Sequence, residues 1–125
     1  MADATVCKFL DDTSIELHIV ECKRTLTTKN WEKVKVQFKG GIQNSYGLCG
    51  ILNKSLSKVV FYTVFREDKI DILNTTNPIL LKATLGTTQK TSALDWKSSK
   101  INILNREFEH IKIPLDGDGK GTYSL

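Results

Sequence analysis

A chain of 125 residues is the length of one domain with one core. Its 40% hydrophobic and 26% charged residues exclude a disordered chain, and no apolar run nears the ~20 residues that cross a bilayer. A formal net charge of +4 and a pI of about 9.0 favour a polyanionic partner without demanding one.

The opening "MADATVCKF" lacks the basic and then apolar segments of a secretory signal, so the expected location is intracellular, in the cytoplasm. Cys7, Cys22 and Cys49 lie far apart with no C-x-x-C pair, which argues against a disulfide framework and a zinc cage. They are expected to be buried free thiols. "ATVCKFL" (4–10) and "IELHIVECK" (15–23) flank the turn-forming "DDTS" and predict a β-hairpin. In the second strand the period of two puts Ile15, Leu17, Ile19, Glu21 and Lys23 on one face.

"TLTTKN" then supplies candidate N-caps, and Trp31, Val34, Phe38, Ile42, Cys49 and Leu52 mostly keep one helical face, predicting a helix over about 29–52. Gly40 and Gly41 in its middle suggest either close packing on a sheet or a kink. "KVVFYTVFRE" is apolar on both alternating faces and predicts a buried central strand over about 58–66. After Asp68 the signal weakens, and Pro78 argues against a continuous helix. "EFEHIKIPL" (107–115) resumes strand alternation before a Gly-rich tail. Hairpin, crossover helix and buried strand together predict an α/β domain, or an α+β one, around a mixed central sheet.

An acid and a lysine two apart, Glu21 and Lys23, end an apolar stripe. By spacing alone they are more readily a solvated strand end than a working site. Asp11 and Asp12 precede Glu21 by nine to ten residues of extended chain, roughly 30 Å, and are turn residues. Asp3 lies across the hairpin. It shares a face with Glu21 only if the loop has three or five residues, and a four-residue loop would turn it away. Lys23, Arg24, Lys29, Lys33, Lys35 and Lys39 fall within seventeen residues directly after the pair.

Asp3, "IVECK" closing a hairpin strand, and a helix carrying Gln37 in "VKVQF" resemble the PD-(D/E)xK nuclease superfamily over about residues 2–65. The resemblance implies a restriction-endonuclease-like core, with Asp3, Glu21, Lys23 and Gln37 as catalytic residues and Asp3 and Glu21 holding Mg²⁺ or Mn²⁺. Two carboxylates suit a hard cation, and a nearby lysine offsets charge developing on a phosphate. Arg24, Lys29 and Lys33 would contact nucleic acid, with DNA expected ahead of RNA. From the residues alone, Gln37 and Lys33 read first as an ordinary exposed glutamine and a solvated lysine. The family begins with a helix before the aspartate strand, whereas only Met1 and Ala2 precede Asp3. The expectation therefore includes a missing upstream segment, a homodimer that completes the site, or a degenerate fold used as a non-catalytic interaction module such as an inhibitor, immunity-type or assembly protein. "DGDGKG" (116–121) places Lys120 where a calcium loop needs an oxygen ligand and predicts only a turn. His18 and His110 have no Cys or His at ligand spacing and are expected to be satisfied or surface residues.

Overall fold

Two long runs rich in β-branched and aromatic residues, Ser14–Leu26 and Ser55–Asp68, form the middle of the sheet in a computed structural model that describes residues 3–70, 96–116, 121 and 123. The expectations for "ILNTTNPILLKATLGTTQKTSALD" and for most of the Gly-rich tail lie outside those residues. Along the chain, β1 (Ala4–Phe9), β2 (Ser14–Leu26), α1 (Thr28–Leu52), β3 (Ser55–Asp68), β4 (Lys100–Ile103) and β5 (Arg106–Pro114) follow in order. The sheet order is β1-β2-β3-β5-β4. β1 runs antiparallel to β2, β2 parallel to β3, β3 parallel to β5, and β4 antiparallel to β5. This is a mixed five-stranded sheet of the α/β class.

Helix α1 is the crossover between parallel neighbours, as its place in the sequence predicts. Thr27 caps its start by accepting from the Asn30 N–H at 3.1 Å, and Asn53 ends it at φ 55°, where an asparagine tolerates the left-handed region. Trp31, Val34, Phe38, Gly41, Ile42, Ser45 and Cys49 face the sheet. The helix passes through both glycines unbroken: Gly41 is buried on the sheet side, while a side chain at Gly40 would meet nothing.

The core lies between α1 and the face of the sheet that carries Leu17, Ile19, Val59, Phe61, Phe65, Ile101 and Ile103. Phe38 is tilted against Phe61 with ring centroids 4.6 Å apart, which ties the middle of the helix to the central strand. β3 is buried on both of its faces from Val59 to Thr63, as its composition suggests. Two expectations need correction. The sequence signal missed β4 because its hairpin to β5 turns through Leu104 and Asn105, at φ 54° and 61°, with no glycine to mark it. Of the cysteines, all free, only Cys49 is buried: Cys22 is exposed because its parity turns it to the face opposite the helix.

Candidate acidic site at the carboxyl end of the parallel strands

The parity that the sequence left open is decided by the turn. Asp11 Oδ1 accepts from the N–H groups of Thr13 and Ser14 at 2.7 and 2.8 Å and from the Thr13 hydroxyl at 2.9 Å. The Thr13 and Ser14 hydrogen bonds hold the Asp11 carboxyl down to about 2. Asp11 is thus a turn-former, as distance along the strand required. The turn leaves a five-residue loop between Phe9 and Ile15, which are paired, and the ladder runs back through Thr5 with Ile19 to Ala4 with Val20. Its next step sets Asp3 opposite Glu21.

Three hydrogen bonds hold that arrangement. The Asp3 N–H donates to Glu21 Oε2 at 3.2 Å, the Cys22 N–H donates to Asp3 Oδ2 at 2.7 Å, and Lys23 Nζ donates to Glu21 Oε1 at 3.1 Å. Glu21 is 0% exposed, so these partners offset a desolvation cost that a bare carboxylate would bear in full. The Cys22 thiol is held above its ordinary pKa by partial burial first, then by the Asp3 and Glu21 carboxylates. The structure makes Asp3, Glu21 and Lys23 neighbours, the Asp3 N–H and Lys23 both meeting the Glu21 carboxylate while the Asp3 carboxylate meets the Cys22 N–H.

The same level of the sheet carries residues that sequence reasoning missed. Glu21 pairs with Thr63 in β3, and Thr63 pairs with Lys112 in β5, so a polar row crosses three strands beneath the start of α1. Thr63 is 0% exposed, and its hydroxyl lies 2.8 Å from His110 Nε2. His110 is 2% exposed, with Trp31 and Trp96 at ring-centroid distances of 5.1 and 5.7 Å. Burial, with a smaller push from Lys112, lowers its pKa to about 3. The imidazole is neutral, and its Nδ1 is buried without a hydrogen-bond partner. Lys112 Nζ donates to the Trp96 carbonyl at 2.8 Å and lies 5.2 Å from the centre of the Trp96 ring. The one available signal was a polar residue at a core-facing position in "FYTVF" and in "EHIKI".

Gln37 stands on the flank of α1 away from Tyr46, which accepts from Arg106 of β5 at 2.8 Å, and therefore on the β1–β2 side. Its neighbour Phe38 packs on Phe61, which is in register with Ile19, one same-face position before Glu21. The Gln37 Oε1 is buried with no hydrogen-bond partner. Lys29 and Lys33 are exposed on the first turns of α1. Arg24 is exposed and, by its parity, on the opposite face from Glu21, so the structure does not bring it to the row.

On that opposite face, His18 joins Glu16 through Nε2 at 2.8 Å and Tyr62 through Nδ1 at 2.7 Å. Burial first, then Tyr123, Glu109 and Glu16, push the Tyr62 phenol up to about 12. His18 is a satisfied histidine, as expected. Among the described residues no group of three or more His, Cys, Asp or Glu gathers as a metal cage. No described helix is long and apolar enough to cross a membrane. The fold thus defines the class, an α/β domain on a mixed sheet; no family model, curated protein or solved structure matches the chain.

Proposed function

We propose that this is a metal-dependent nuclease-like domain of the PD-(D/E)xK kind, which binds nucleic acid and hydrolyses phosphodiesters with Mg²⁺ held by Asp3 and Glu21. The observation that carries the reading is Asp3 facing Glu21 across the hairpin while Lys23 bonds the same glutamate.

The donor set fits a hard cation. Each carboxylate keeps lone pairs beyond its present bonds. Gln37, next to Phe38 on the helix that covers this face, has a buried amide oxygen with no hydrogen-bond partner. Two protein carboxylates with water and phosphate oxygens are the usual shell of Mg²⁺. Bound there, the ion would supply Lewis acidity and an acidified water. Lys23 holds the Glu21 carboxylate in place and presents positive charge where a phosphate would gain negative charge. Lys29 and Lys33 extend that positive field along the exposed start of α1.

Plasmid, single-stranded DNA and RNA incubated with Mg²⁺ or Mn²⁺ test the reading. Wild type should cut at least one of them only with metal, and Glu21→Ala and Lys23→Ala should abolish the cut. Equal cleavage by all three proteins, or none by any, overturns the catalytic claim.

A second reading is favoured by one specific fact: Glu21 is fully buried and both carboxylates already have partners. The pair would then be a structural clasp in a non-catalytic interaction module. That reading requires no heat of Mg²⁺ or Mn²⁺ binding in calorimetry, whereas the nuclease reading requires a heat that Glu21→Ala removes.

A further inference from the structure

β1 is an outer strand of the described sheet, and all of its residues except Cys7 are exposed, with Val6 at 41% and Phe9 at 59%. The Leu10 N–H donates to the Ser14 carbonyl. Antiparallel alternation from that bond gives the backbone groups of Ala4, Val6 and Lys8 to β2 and directs the N–H and C=O of Thr5, Cys7 and Phe9 away from the sheet. Folded chains usually blunt such an edge with a proline, a bulge or charges. Here the register from Ala4 to Phe9 is unbroken, no proline interrupts it, and Lys8 is the one charge. β4, the outer strand on the far side, has four residues and begins with Lys100, which pairs with Glu107.

We infer that β1 docks on β1 of a second copy of this chain, antiparallel about a two-fold axis at Val6, so that one continuous sheet runs through a homodimer. A two-fold normal to the sheet keeps each residue on its own face, so odd positions meet odd and even meet even. Centred on Val6, Thr5 stands opposite Cys7 of the second copy, and both such pairs exchange the hydrogen bonds that a lone edge points outward. Val6 meets Val6, a β-branched pair that hides apolar surface, and Lys8 meets Ala4, so no like charges oppose. The strand's own pattern thus supplies its partner. A two-fold at Lys8 would set two ammonium groups together, one at Cys7 would lay each of them on Val6, and one at Thr5 would carry Lys8 and Phe9 past the end of the facing strand. Because β1 is spent in the pairing and β4 is short and charged, association closes at two copies. A contact of this length belongs to the small end of interface sizes, so the dimer dissociates on dilution. It needs neither the metal site nor the nuclease reading.

Sedimentation over a dilution series from millimolar to sub-micromolar tests the dimer, with circular dichroism to follow folding. Wild type should pass from twice the chain mass of 14.1 kDa to that mass. Val6→Lys opposes two charges at the axis, and Cys7→Pro removes an outward N–H while sparing the β1–β2 ladder. Each should stay folded and raise the dissociation constant by about tenfold or more. Val36→Lys, the same change at a more exposed valine of α1, should leave it unmoved. With Cys7 and Cys22 replaced by serine, oxidised Val6→Cys should form a covalent dimer and Lys8→Cys should not, because Val6 faces itself within disulfide reach. A wild type that is monomeric throughout, which would leave the edge to a strand of another protein, overturns the inference. So does a dimer that Val6→Lys leaves intact, or a crosslink formed by Lys8→Cys in place of Val6→Cys.

Discussion

His110 should make stability fall as the solution is acidified, and its burial sets the size of the fall. Its pKa drops from 6.5 to about 3 because the ring is enclosed by Trp31, Trp96 and Phe38. The unfolded chain therefore takes up a proton below 6.5 that the folded chain refuses until about 3. The stabilisation is complete above the unfolded value and is lost progressively through that window. At about 1.36 kcal/mol per unit, the loss between 6.5 and pH 5 is about 2 kcal/mol. His110→Gln removes the titration while keeping an amide that can reach Thr63. Urea unfolding of both proteins at pH 7 and pH 5 measures the difference, and the cost of the substitution itself cancels. Wild type should lose about 2 kcal/mol more than the variant over that interval. Equal losses would refute the argument that a neutral imidazole is locked in the core.

Glu21→Ala leaves Lys23 and the Asp3 N–H without their partner and should destabilise the fold by about 3 kcal/mol in urea unfolding, against nearly nothing for Glu107→Ala, whose partner Lys100 is exposed. Phe38→Ala removes the ring that seats α1 on Phe61 and should cost about 3–5 kcal/mol in the same assay. Leu104 is 41% exposed at φ 54°, so Leu104→Asn should stabilise the β4–β5 turn by about 1 kcal/mol, read as a melting temperature several degrees higher.

The strands and helix were legible where one physical signal dominated. β-branched alternation marked the hairpin, a run apolar on both faces marked β3, and the spacing from Trp31 to Cys49 marked α1. The β4–β5 hairpin escaped because its left-handed turn begins at Leu104, a side chain that does not announce one, with no glycine after Asn105. At the site, a distance argument sufficed to remove Asp11 and Asp12. It could not choose the parity of Asp3, because that depends on which residues bond inside the loop, here Asp11 to Thr13 and Ser14. Thr63, His110 and Lys112 join the row only through the lateral order of strands. A register between β3 and β5, some fifty residues apart in sequence, leaves no local trace. Arg24 shows the opposite failure: it is close to Glu21 in sequence and on the other face in space.

Paramagnetic Mn²⁺ titrated into the isotope-labelled protein tests the central claim most directly, because amide signals near the bound ion broaden whether or not the chain cleaves anything. A metal held by Asp3 and Glu21 predicts selective broadening of residues 3–5, 20–23 and 63, abolished in Glu21→Gln. Broadening that is absent there, centred elsewhere, or unchanged in Glu21→Gln would contradict a metal site at this carboxylate pair.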